Sequence, residues 1–127
     1  MQYTIKSDKI IEVNKKEIHF DFPIKTILDF EDCIVILLAF EEKNDIKNEK
    51  KSNLLAISEV GHVLWQTSNK YIEEIRKVAH KTPLIILDEI LKKEIDNKYD
   101  VLIHLYKWNF YINPETGEKI REEQIEK

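Results

Sequence analysis

The 127-residue chain contains only two glycines, Gly61 and Gly117, and they fall at matching places in two thirteen-residue stretches. The first is NLLAISEVGHVLW, Asn53 to Trp65; the second is NFYINPETGEKIR, Asn109 to Arg121. Each starts at an asparagine, runs through apolar residues, crosses a polar segment ending in glycine, and resumes. Glycine enters the positive-φ region at no steric cost. A glycine that closes a polar segment between two apolar runs is therefore the mark of a β-hairpin. In NPETG, Pro114 has its φ already fixed near the value required at the first central position of a type I turn. Gly117 then takes the left-handed conformation that returns the chain to the next strand. Gly61 occupies the corresponding place in SEVGH. Both glycines are thus expected at positive φ, in hairpins that superimpose.

Two-residue periodicity extends this β pattern over much of the chain. EIHFDF (17–22) alternates, with Ile18, Phe20 and Phe22 on one face and Glu17, His19 and Asp21 on the other. KIIEV (9–13) is a shorter strand, joined to it by a tight turn at Asn14–Lys15, because Asn tolerates positive φ. Pro23 places a bend after Phe22, since proline within a central strand removes a ladder donor. KTILDF follows, then a polar break at Glu31–Asp32. CIVILLAF (33–40) is apolar at all eight positions and β-branched in its first half, which predicts a central strand covered on both faces. Residues 41–52, EEKNDIKNEKKS, read as a mobile surface loop. YDVLIHLYKW (99–108) alternates again, with Val101, Ile103 and Leu105 opposite Leu102, His104 and Tyr106.

One segment has a helical period. Between Ser68 and Lys81, residues Tyr71, Ile75, Val78 and Ala79 share a face, which predicts a short helix ended by Thr82–Pro83. Leu84 to Ile95 is open between helix and strand: Pro83 and the Leu84, Leu87, Leu91 spacing favour a helix, whereas Ile85–Ile86 favour a strand. REEQIEK (121–127) reads as a charged tail that frays. The expected fold is one mainly β domain over residues 1–127. It is an antiparallel sandwich or partly open barrel of about seven or eight strands, with two similar Gly-turn hairpins and one short helix.

Both hairpins carry a resemblance. NLLAISEVGHVLW is similar to the hairpin of β-propeller blades, particularly the PQQ-type quinoprotein repeats, and INPETGEKI is similar to the "LDPETGKIL" form of that hairpin. Ser58 and Asn113 stand where the pattern has Asp, and Arg121 stands where it has Trp. Propellers have typically 4–8 blades, and this chain has room for two or three, so the resemblance implies blade-like hairpins without a complete propeller. It implies no cofactor. The chain as a whole also resembles small bacterial β-rich proteins.

Charge and composition narrow the function classes. Charged residues make up 35% of the chain, with Lys and Glu interspersed and a net charge of -4, so its overall field does not draw phosphate backbones and nucleic acid is not an expected partner. The lone Cys33 excludes an internal disulfide and reads as a small buried apolar group. No apolar stretch is long enough for a membrane span, and the N-terminus lacks a signal-peptide core, so the expected location is the cytoplasm. His19, His62, His80 and His104 have no paired ligand spacing, and DNKYD (96–100) lacks the glycine of a calcium loop. No catalytic, cofactor-binding or metal residue is therefore assigned. Glu17, His19 and Asp21 read as a solvated strand face. Trp65, Tyr106, Trp108 and Tyr111 are the candidate interaction surface, because Trp and Tyr are enriched in interface hot spots. The expectation is a non-enzymatic protein-interaction module, of a kind that would suit a toxin-neutralising immunity role. Alternatives are a small-ligand-binding or hydrolytic β-barrel, and a structural homo-oligomer.

Overall fold

The computed structural model describes residues 1–39, 51–68, 90–105 and 108–125. Eleven strands are found among them: β1 (Thr4–Ser7), β2 (Ile10–Val13), β3 (Lys16–His19), β4 (Ile24–Asp29), β5 (Cys33–Leu38), β6 (Lys51–Ser58), β7 (Val63–Ser68), β8 (Ile90–Ile95), β9 (Lys98–Leu105), β10 (Trp108–Ile112) and β11 (Lys119–Gln124). They form three antiparallel sheets, each a meander in chain order: β1-β2-β3, β4-β5-β6-β7 and β8-β9-β10-β11. Each order is linear and leaves two edges, so no sheet closes into a barrel.

The sheets lie in three layers, and the period of two in β5 and β6 explains how. Cys33, Val35 and Leu37 of β5 join Leu54 and Ala56 of β6 in one apolar cluster with Ile90, Val101, Ile103, Phe110 and Ile112 of the C-terminal sheet. The alternate residues Ile34, Ile36, Leu38, Leu55 and Ile57 form a second cluster with Ile11 and Val13 of the N-terminal sheet. The central sheet is therefore covered on both sides. All six β5 residues are buried, as an uninterrupted apolar strand requires. Each fully buried Ile, Leu or Val there contributes roughly 1.5–3 kcal/mol.

Two-residue turns join β2 to β3 and β8 to β9. Asn14 and Lys15 have φ of 52° and 65°, and Asp96 and Asn97 have 53° and 65°, the double positive φ of a type I′ turn. DNKYD is thus a hairpin turn. EIHFDF is strand only to His19, and the chain then bends ahead of Pro23. Phe20 and Phe22 still pack on the N-terminal side cluster, as Ile18 does. His19 Nε2 lies 3.4 Å from Glu17 in an exposed pair, the solvated face expected from the alternation.

Several expectations are corrected. Eleven strands replace seven or eight, and three layers replace the two-layer sandwich or partly open barrel. β1 accounts for part of the difference, because its burial pattern is exposed throughout and carries no apolar alternation to read. Arg121–Gln124 is not a fraying tail: it pairs along β10 from Tyr111↔Arg121 to Trp108↔Gln124. Lys51 and Ser52, assigned to the loop 41–52, begin β6; residues 41–50 lie outside the described residues. Ser68, expected to open a helix, ends β7, and the remainder of that segment to Lys81 also lies outside them. No helix occurs among the described residues. Of the ambiguous stretch 84–95, the described part, Ile90–Ile95, is strand. No described helix is long and apolar enough to cross a membrane.

Both glycines take positive φ in hairpins, but the two turns differ. Gly61 and Gly117 have φ of 86° and 75°. In the first turn the Gly61 amide donates to the Ser58 carbonyl, and Ser58 to His62. In the second, Gly117 donates to Asn113 four residues back, and Asn113 to Glu118. The second turn is longer by one residue, so the hairpins do not superimpose through their turns. The likeness resumes after the glycine. Leu64 and Ile120, each three residues on, are bulged residues between the pairs Ile57↔Val63 and Ala56↔Trp65, and between Ile112↔Lys119 and Tyr111↔Arg121. Bulges re-aim side chains and blunt edge strands. Here the bulge in β7 turns Trp65 onto the Ala56 face, towards the C-terminal sheet. The same bulge in β11 turns Arg121 onto the Tyr111 face, away from the core.

Candidate functional site, an acidic groove at the seam of two sheets

Trp65 fixes how the C-terminal sheet meets the central one. Its indole Nε1 donates to the Pro114 carbonyl at 2.8 Å, and its ring lies against Gly117. A Cβ on Gly117 would sit 2.5 Å from Trp65 Cδ2, so this glycine is required by close approach as well as by φ. Cys33 Sγ, almost fully buried, donates to the same Pro114 carbonyl at 3.5 Å. The turn is also held from within, because Asn113 Oδ1 accepts from the amides of Glu115 (2.8 Å) and Thr116 (3.3 Å). An asparagine at the turn's first position can accept in this way through its side chain.

Anchored like this, the β10–β11 turn meets the β4–β5 turn and the β8–β9 hairpin at one end of the seam. An open groove of about 400 Å³ lies between the three, lined by Phe30–Cys33, Asn97–Asp100 and Asn113–Glu115. Four carboxylates surround it, Glu31, Asp32, Asp100 and Glu115, against a single lysine, Lys98. The aromatic rings of Phe30 and Tyr99 line it as well. A larger open depression of about 650 Å³ beside β1 has mixed charge, with Lys15 and the terminal ammonium alongside Glu12 and Asp29. The groove at the seam has the more one-sided chemistry.

The thiol at its base registers that field. Burial first, and then the negative charges of Glu115, Asp32 and Asp29, together push the Cys33 pKa from 9.0 up to about 11. A thiol held protonated at neutral pH is a poor nucleophile, so Cys33 acts by packing. The Tyr99 phenol is also raised above its ordinary value, first by its hydrogen bond to Glu94 and then by that carboxylate's charge. No three described His, Cys, Asp or Glu side chains converge to hold a metal ion.

The proposed aromatic surface is not gathered in one place. Trp65 is half-buried in the seam as described. Trp108 packs partly buried against the same core and lies 6.5 Å from Phe110. Tyr111 sits on the opposite face of β10, only 4% exposed, with the Arg121 guanidinium 4.3 Å above its ring. Tyr106 lies outside the described residues. Asn53 and Asn109, which begin the two sequence copies, also differ. Asn53 is buried and donates to the Leu38 carbonyl at 2.8 Å, whereas Asn109 Oδ1 pairs with His104 Nδ1 on the outer face at 2.8 Å. The groove's acidic residues escaped sequence reading because they sit in two turns and near the start of β9, up to 84 positions apart. The usable signal was only that each turn carries carboxylates.

These features define three stacked antiparallel meanders among the described residues, with an acidic, aromatic-lined groove where two of the meanders meet. The chain belongs to the family described as Domain of unknown function (DUF7957), which matches residues 1–85. That span covers β1 to β7 and includes Phe30–Cys33 and Trp65. The groove's contributions from Asn97–Asp100 and Asn113–Glu115 lie beyond it. No curated protein and no solved structure matches the chain.

Proposed function

We propose that the protein is a non-enzymatic interaction module that binds a basic segment of a protein partner in the groove at the seam. One observation carries this reading: Glu31 and Asp32 of the β4–β5 turn, Glu115 of the β10–β11 turn and Asp100 near the start of β9 line one groove together with Phe30 and Tyr99. Carboxylates attract an incoming lysine or arginine, and aromatic faces add cation–π attraction once it is close. The β10–β11 turn is braced by Trp65, Cys33 and Asn113, which lowers the ordering cost of its part in binding. A compact acidic chain of this kind would suit a bacterial immunity role in the cytoplasm, and a toxin with a basic surface is a partner of the required chemistry. The likeness of the two hairpins to propeller-blade hairpins supports reading the meanders as blade-like supports for the turns.

The test uses a short Arg/Lys-rich peptide as probe and isothermal titration at low and physiological salt. Neutralising the four groove carboxylates (Glu31→Gln, Asp32→Asn, Asp100→Asn, Glu115→Gln) is expected to weaken binding about tenfold or more, equivalent to about 1.4 kcal/mol. A control changes the same number of carboxylates elsewhere, at Glu17, Asp21, Glu59 and Glu122, and is expected to retain most of the affinity. Equal losses in both variants would reduce the effect to net charge and sink the reading.

A further inference from the structure

Beside the groove, Phe30 and Tyr99 already hold a cation. The Lys92 ammonium lies 4.5 Å from the Tyr99 ring centroid and 5.1 Å from that of Phe30, within the roughly 6 Å over which such contacts are attractive. It also donates to the Asp29 carbonyl at 2.7 Å. Two aromatic faces from different sheets and one carbonyl thus form a seat for an ammonium group. No carboxylate pairs with Lys92 among the described residues, and its side chain is exposed. The ammonium is held by these contacts, of which the charge-assisted hydrogen bond to the Asp29 carbonyl is the shortest.

We propose that Lys92 is a resident pseudo-ligand: its ammonium occupies a cation seat made by Phe30, Tyr99 and the Asp29 carbonyl, and a basic side chain of the partner takes that seat by displacing it. This rests on the reading of the groove as the binding site and adds an autoinhibitory contact to it. The same two rings line the groove, so a cation that enters past the carboxylates reaches them next. The partner is thereby required to present an ammonium or guanidinium able to outcompete an internal lysine. A partner offering neutral polar groups gains nothing from the exchange.

Removing the charge while keeping the stem, Lys92→Met, empties the seat of its cation. The expected result is a two- to fivefold gain in affinity for the Arg/Lys-rich peptide, about the range one exposed cation–π contact represents. Lys9→Met is the control, because it makes the same change in net charge at an exposed residue of the β1–β2 turn that does not line the groove. On the unaltered protein, saturating peptide is expected to move the Lys92 ε-proton signals towards free-lysine values, as the ring currents of Phe30 and Tyr99 are lost. Equal affinities for Lys92→Met and Lys9→Met, or unmoved Lys92 signals at saturation, would overturn the pseudo-ligand while leaving groove binding intact. Loss of peptide binding in the control carboxylate variant as large as in the groove variant would instead remove the groove reading, and this proposal with it.

Discussion

Gly117→Ala tests the joint between the central and C-terminal sheets. Two costs add at this position. The φ of 75° lies in the left-handed region, where a non-glycine residue costs about 1–2 kcal/mol. The new methyl would also lie 2.5 Å from Trp65 Cδ2 and 2.8 Å from Cγ and Cε3, so the indole must move. Moving it breaks the Nε1 hydrogen bond to Pro114, and the combined penalty is about 3 kcal/mol. Gly61→Ala is the internal reference. Its φ of 86° imposes similar backbone strain, but the new methyl would meet Lys16 Cδ at 3.2 Å and the Val13 carbonyl oxygen at 3.3 Å. A lysine stem yields easily, so that substitution should cost about 1–2 kcal/mol, mostly backbone strain. Urea denaturation followed by tryptophan fluorescence measures both. In a Trp65→Ala background, Gly117→Ala should fall to the cost of Gly61→Ala. An equal cost for the two alanines in the native background, or an unchanged Gly117→Ala penalty without the indole, would refute the joint.

Further outcomes follow from the core and from the titrating groups. Ile36→Ala, in the strand covered on both sides, should destabilise by about 2–5 kcal/mol in the same denaturation assay. Asn53→Ala removes the buried donor to the Leu38 carbonyl and should cost about 1–3 kcal/mol, read as a lower urea midpoint. Cys33 should resist alkylation at pH 8 in the folded state and react on unfolding. Its folded pKa lies above the unfolded one, so above pH 9.0 the unfolded chain loses a proton that the folded chain keeps. The stability contributed by Cys33 is therefore present below pH 9.0 and lost as pH rises towards about 11. The difference in stability between the native chain and Cys33→Ser should change over that window and stay flat below it. Tyr99 should ionise at higher pH than an ordinary tyrosine in ultraviolet titration, and Glu94→Gln should lower that value.

What the sequence revealed and what it hid divide along physical lines. CIVILLAF announced a strand covered on both faces because burial on both faces leaves no polar position, and β5 is that strand. The glycines announced their positive φ because no other residue adopts it so freely. The outer strand β1 was hidden because a strand at the edge of a stack has no apolar alternation to display. The third layer was hidden for a related reason: Ile11 and Val13 are only two apolar side chains in a four-residue strand, too few to tell a separate sheet from a continuation. The groove was the least legible feature, since its residues come together only when three turns meet. The asparagines that opened both copies of the repeat were misleading, because they fill unlike places in the fold.

The most direct test of the account is a titration of isotope-labelled protein with the Arg/Lys-rich peptide, followed by nuclear magnetic resonance. Binding at the seam predicts the largest shift changes at Glu31, Asp32, Tyr99, Asp100 and Glu115, together with release of the Lys92 side chain. Changes centred instead on the outer face of the C-terminal sheet, around Leu91, Tyr111 and Arg121, would contradict it.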